Sequence, residues 1–274
     1  MIYNRPDLWM MKKADSIGPY LTFSSPNSFT LKVNDATKHW NGTLEYSTDA
    51  STWSTWDGTT TLSSATSGSD NVLYLRGTGN VRITGYDVNY RWVLTGSDIA
   101  CIGNIENLLD YATVSSGVHP TMAASCYQYM FAGCAGLTKA PALPATTLAY
   151  KCYYGMFVGC AGLTKAPALP ATTLLSSCYQ NMFVGCAGLT KAPALPATTL
   201  ANYCYYGMFV GCASLKLSTT QTGEYTVAYR IPSSGTGTTA TNALTDMFTD
   251  TGGTFTGTPE INTTYYLSNT NTVV

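Results

Sequence analysis

Charge is what this sequence has least of. Only 11% of its 274 residues are Asp, Glu, Lys or Arg, against about 25% in an ordinary globular protein. The formal net charge is −1. A chain this poor in cations cannot hold nucleic acid through counterion release and offers no basic face to an anionic membrane. No apolar run approaches the roughly 20 residues needed to cross a bilayer. Histidine is nearly absent: His39 and His119 are the only two, far apart and with no neighbouring Cys or carboxylate cluster in sequence. A catalytic triad or a zinc site needs several convergent ligands. Walker loops, G-x-G-x-x-G after a strand, H-E-x-x-H and G-x-S-x-G are missing as well. No catalytic residue, metal or cofactor is expected, and the chain is read as non-enzymatic. The opening MIYNRPDLWMMKKAD is interrupted by Arg5, Asp7, Lys12 and Lys13, so no secretory signal is expected there. The final NTNTVV carries no anchor or retention signal.

What the sequence has in abundance is itself. CYQYMFAGCAGLTKAPALPATTLAYK (126–151), CYYGMFVGCAGLTKAPALPATTLLSS (152–177) and CYQNMFVGCAGLTKAPALPATTLANY (178–203) follow one another, and CYYGMFVGCASLKL opens a fourth copy at 204. The period of 26 lies in the leucine-rich-repeat range of 20–29. Such units bury an apolar face by stacking on their own copies. Leu148, Cys152, Met156 and Cys160 recur every four residues with Phe157 alongside, which predicts a short helix, capped by Thr146 or Thr147 and ended at Gly159. LTKAPALP predicts an extended edge, Leu163, Pro167 and Leu169 inward and Lys165 outward. The copies differ mainly at their third and fourth positions and in their last three residues, which predicts a solvated, variable face. No Asp or Glu occurs in the repeats, which excludes paired-carboxylate chemistry there.

Through MFVGCAGL, PALPATTL and CYYGMF, residues 126–217 resemble the BspA-type leucine-rich repeats of gut and oral bacterial surface proteins, repeats that also occur in gut bacteriophage proteins. The resemblance implies adhesion or display and no catalytic residues. The expected fold is mixed α/β: an N-terminal arm (1–17), a small antiparallel β-sandwich (18–100), then a leucine-rich-repeat-type α/β solenoid over 101–274 with capping repeats. Within the last, 101–125 is the N-terminal cap, 126–217 the four repeats, and 218–274 an insertion and C-terminal cap repeating the Met-Phe pair at Met247-Phe248. The β-sandwich rests on short alternating runs such as SFTLKV and NVLYLRG between turn residues.

Several residues are candidates for binding. Lys139, Lys165 and Lys191 occupy one position on successive repeats and form a column that suits an acidic glycan or other anion, or simply a solvated edge that resists aggregation. Trp40, Trp53 and Trp56 could stack on sugars or pack in the core. Eight of the nine cysteines form Cys-x7-Cys pairs, a spacing wrong for zinc. They are read as a buried thiol ladder, with disulfides between adjacent repeats allowed by distance. In the arm, Tyr3, Leu8, Trp9 and Met10 are candidates for docking on a partner. The expected function is a phage virion surface protein, fibre or decoration, bound to other virion proteins through the arm and presenting its repeats to a host-surface protein or glycan. It would act without nucleic acid or membrane insertion, and homo-oligomers are compatible with it. A bacterial cell-surface adhesin of BspA type is the alternative, and an intracellular interaction scaffold the third class.

Overall fold

The computed structural model describes residues 18–231 and 240–274. The arm, with Tyr3, Leu8, Trp9 and Met10, lies outside the described residues.

Where a helix is expected, each repeat forms a chain of turns. Where the first repeat passes into the second, Lys151, Gly155 and Gly159 have φ of 55°, 58° and 72°, one left-handed residue in every four. An α-helix cannot hold them, since each of its residues needs a φ of about −63°, and a φ of opposite sign at every fourth residue breaks it. They instead separate successive four-residue turns. The amides of Cys152, Tyr154, Met156, Val158 and Cys160 donate to carbonyls three residues back at 3.0–3.3 Å. The intervening amides of Tyr153, Gly155, Phe157 and Gly159 donate instead to Cys178, Gln180, Met182 and Val184 of the next coil at 2.7–3.0 Å. Four of these nine amide hydrogen bonds therefore exist only when the next coil is present, which makes stacking a condition of the local structure.

The same rhythm sorts the side chains. Cys152, Tyr153, Met156, Phe157 and Cys160 are buried, whereas Tyr154, Val158 and Gly159 are half-buried. Copies superpose along the stack. Phe131, Phe157, Phe183, Phe209 and Phe248 lie 5.5–5.7 Å apart with nearly parallel planes. Tyr127, Tyr153, Tyr179 and Tyr205 form a second ladder at 5.7–5.9 Å. All nine cysteines are free and buried. The thiols of Cys160, Cys186 and Cys212 donate to the carbonyls of Phe131, Phe157 and Phe183 on the preceding coil at 3.1 Å, so one cysteine column also stitches coils together.

The expected mixed α/β fold is thereby corrected. The chain is mostly β, with about 28% strand and 5% helix, in several separate sheets and without closure into an α/β solenoid. The one α-helix among the described residues, α1 (Asn107–Ser115), precedes the repeats and is kinked at Asp110. The physical reason is the period. A helix turns once in 3.6 residues, so a strict spacing of four drifts off one face, whereas four-residue turns keep it.

Among the described residues, nine strands precede α1: β1 (Leu21–Ser25), β2 (Thr30–Val33), β3 (Thr43–Ser47), β4 (Ser54–Trp56), β5 (Leu62–Ser63), β6 (Ala65–Ser67), β7 (Asp70–Thr78), β8 (Trp92–Thr95) and β9 (Ile99–Ile102). β5, β2 and β8 form one antiparallel sheet. The other runs β9-β1-β7-β3-β4, with β6 on β7, and gains β10 (Leu137–Lys139) of the first repeat, parallel to β9. Beyond β9 the N-terminal region also serves coil 1 directly. Ile83 and Trp92 donate to the carbonyls of Cys126 and Met130 at 2.9 and 2.8 Å, and Phe23 and Trp92 meet Phe131 edge to face. At the far end Thr241, Ala243, Thr245, Met247 and Thr249 accept the amides of the fourth coil, and Tyr229 and Phe255 close the phenylalanine ladder against Phe248. Both ends of the stack thus have their backbone groups and apolar faces covered.

Of the later described strands, β11 (Lys191–Ala192) lies in the third repeat, and β12 (Lys216–Ser218), β13 (Tyr225–Arg230) and β14 (Gly252–Gly253) follow it. β15 (Thr264–Ser268) pairs with both β12 and β13, and β16 (Thr272–Val273) lies parallel to β11.

Candidate functional site

The extended Lys-Ala-Pro-Ala-Leu-Pro edges bring the lysine column to the surface. Proline 167 and its equivalents 141 and 193 are buried, as are the leucines that follow, and the lysines alternate outward. Lys139 ends β10, and Lys165 bridges Lys191, which opens β11. All three are exposed, and none takes part in an ion pair among the described residues. Coils 1 and 2 border a groove of about 580 Å³ lined by Lys139, Pro141, Leu143, Lys165, Pro167 and Val274. A smaller one, about 450 Å³, follows at Leu195, Pro196, Tyr229 and Arg230. There the guanidinium of Arg230 is committed to the carbonyls of Leu195 and Ala197. The groove at the column combines two unpaired cations with apolar walls and can hold an anionic, partly apolar group by charge and contact.

The tryptophans are placed elsewhere. Trp40 and Trp56 are 3% and 1% exposed and pack ring to ring at 5.2 Å, with Trp92 beyond. They belong to the core and offer no face to a sugar. Trp53 is half-buried, and the Arg76 guanidinium lies 4.0 Å over its ring while pairing with Glu45 at 2.8 Å. The lysine column and the tryptophans therefore do not share a site.

Each histidine meets a carboxylate, one four residues away in sequence and the other thirteen. His39 meets Asp35 at 2.9 Å and stacks on Tyr90 at 3.9 Å. Slight burial works against ionising Asp35, but hydrogen bonds from His39 and Thr37 outweigh it and hold the carboxyl below its usual range. His119 Nδ1 meets the buried carboxylate of Glu106 at 2.8 Å. No group of three or more His, Cys, Asp or Glu suited to a metal occurs among the described residues.

The positions that differ between copies form a second surface. At the fourth position stand Tyr129, Gly155, Asn181 and Gly207, all with φ of 57–58°. Large and absent side chains alternate because each large one lies over the next coil. A Cβ on Gly155 would sit 2.5 Å from the Tyr129 ring, and one on Gly207 2.4 Å from the Asn181 side chain. The third position alternates in step as Gln128, Tyr154, Gln180 and Tyr206. Only comparison of the copies gives any sign of this face in the sequence, since no motif marks it. Among known proteins no family model, no characterised protein and no solved structure matches the chain.

Proposed function

We propose that this protein is a non-enzymatic surface component of a phage particle, a fibre or decoration protein whose repeat stack meets host or mucosal surfaces. One observation carries the reading. A verbatim core supports a face where the copies differ, and the differences concentrate at exposed or half-buried positions such as Tyr129, Tyr150, Tyr154, Leu175, Asn181 and Asn202. A rigid scaffold presenting adaptable residues is the arrangement expected of a recognition surface. Nine free buried thiols favour assembly in a reducing compartment over export through an oxidising one, which favours the particle over the bacterial adhesin. The lysine-bordered groove and the variable face both offer surfaces for such contact. Mass spectrometry of purified particles and of host envelopes tests the proposal: the protein is expected in the particles. Its recovery from envelopes alone would replace this reading with the adhesin.

A further inference from the structure

The variable face has a chemistry of its own. Coil 2 brings Tyr150, Lys151 and Tyr154 to it, and the Lys151 ammonium lies 5.2 and 5.4 Å over the two rings. Coil 3 brings Ser176, Gln180 and Asn181, all half-buried. Coil 4 brings Asn202, Tyr203 and Tyr206, the two rings 5.9 Å apart. Aromatic coils thus flank an amide- and hydroxyl-bearing coil, and equivalent residues on adjacent coils are spaced like the buried rings, 5.7–5.9 Å apart. The amide of Asn181 also reaches the Tyr154 hydroxyl at 3.4 Å. Repeats 126–217 contain no acidic residue, so Lys151 is the charge that these coils bring to the face, while Asp246, at the position equivalent to Gly207, borders it on the next coil.

We infer that this face, centred on Tyr154, Gln180, Asn181 and Tyr206, binds a glycan. A sugar chain alternates apolar C–H faces with hydroxyls that both donate and accept hydrogen bonds. The tyrosine rings suit the first, and the Gln and Asn amides suit the second. An apolar protein patch fits less well: it would strip water from those amides without replacing their hydrogen bonds, and an unmet buried polar group costs about 1–3 kcal/mol. The rings are held in place by turns tied to both neighbouring coils, so little ordering remains for binding to impose. Lys151 favours glycans that carry a carboxylate or sulfate. The inference deepens the adhesion reading above and rests on it for the biological source of the ligand.

The test applies the full chain to a printed array of mucin O-glycans and bacterial capsular oligosaccharides, followed by titration of the best binder. Binding is expected. Tyr154→Ala with Tyr206→Ala should weaken it about tenfold or more, while Tyr154→Phe with Tyr206→Phe retains it, because the ring carries the contact. Thermal melts establish that both variants stay folded. Absence of binding to any array glycan, or undiminished binding by the folded Ala variant, overturns the inference. Adhesion to mucus that survives periodate oxidation but not protease would overturn it in favour of a protein partner and leave the display proposal standing. Recovery of the chain only from envelopes would sink the display proposal and leave the glycan result untouched.

Discussion

Gly155 and Gly162 are needed for different reasons, and substitution separates them. Gly155 sits at φ 58° beneath the Tyr129 ring. Gly155→Ala should therefore cost about 1–2 kcal/mol for the left-handed backbone, plus the displacement of a ring that can partly move aside. In a Tyr129→Gly background the ring contribution vanishes and only the backbone cost remains. At Gly162 the φ is ordinary, but a Cβ would lie 2.6 Å from the Ala135 carbonyl oxygen of the coil before, which accepts the Gly162 amide at 3.1 Å. Backbone cannot yield as a ring does. Gly162→Ala should cost about 1–3 kcal/mol, as overpacking does, with no rescue from Tyr129→Gly. Urea denaturation of the three single variants and of the two double variants with Tyr129→Gly checks both; rescue at Gly162 would refute the distinction. Single residues were the most legible level of this sequence. Invariance across copies marks the Cys, Tyr, Met and Phe that are buried, and outward Lys165 follows from alternation. Trp40 and Trp56 were less so, because an aromatic in a β-rich segment suits core and surface alike until its neighbours are known.

Coils, as elements, behave as a two-coil pattern laid over a one-coil repeat. Removing residues 152–177 would bring the Tyr129 ring onto Asn181, two large side chains at positions built for one. Removing 152–203 would bring Tyr129 onto Gly207 and restore the alternation. The longer deletion should therefore melt higher than the shorter one, although it removes twice as many buried rings; calorimetry on both decides, and the opposite order would show the alternation to be incidental. Within a coil, Phe157 is fully buried between Phe131 and Phe183. Phe157→Ala should cost about 3–5 kcal/mol, as for other buried aromatics, and a loss well under 1 kcal/mol in denaturant titration would contradict the stacked ladder. The helix expected here failed for a reason visible in the residues: Cys152, Met156 and Cys160 keep a spacing of four with glycines at 155 and 159. Period four with recurrent glycine signals successive turns, whereas a helix wanders between three and four. Strand pairing was illegible for another reason. Nothing local in Leu137–Lys139 indicates that it joins β9 rather than a second repeat, because that pairing depends on which end of the stack the N-terminal sheets cover.

Across the whole molecule the thiols dominate the response to pH. Burial pushes the Cys134 thiol up to about 11 and those of Cys152, Cys186 and Cys204 up to about 12. It raises Cys101, Cys126, Cys160, Cys178 and Cys212 as well. In the unfolded chain a thiol ionises near 8.5. The fold holds protons that the unfolded chain releases, so stability is full below about pH 8.5 and is lost as pH rises from there toward the folded values. One pH unit above the unfolded value each thiol costs about 1.4 kcal/mol, and nine together about 13 kcal/mol, comparable to the 5–15 kcal/mol that stabilises a typical domain. The stacked tyrosines, also raised by burial, add to the loss once the pH passes about 10. On the acid side the carboxyls held low are Asp35, Asp49, Asp57 and Asp110, all in turns or a helix outside the repeats and little buried, so acid should do much less. The protein should therefore tolerate mild acid and unfold cooperatively at about pH 9.5–10, with thiolate absorbance appearing in the same transition as the loss of near-ultraviolet circular dichroism. Cys178→Ala should move that midpoint upward by removing one titrating group. Thiolate absorbance that grows from about pH 8.5 while the circular dichroism stays constant would mean the thiols ionise inside the fold, and the buried ladder would have to be abandoned.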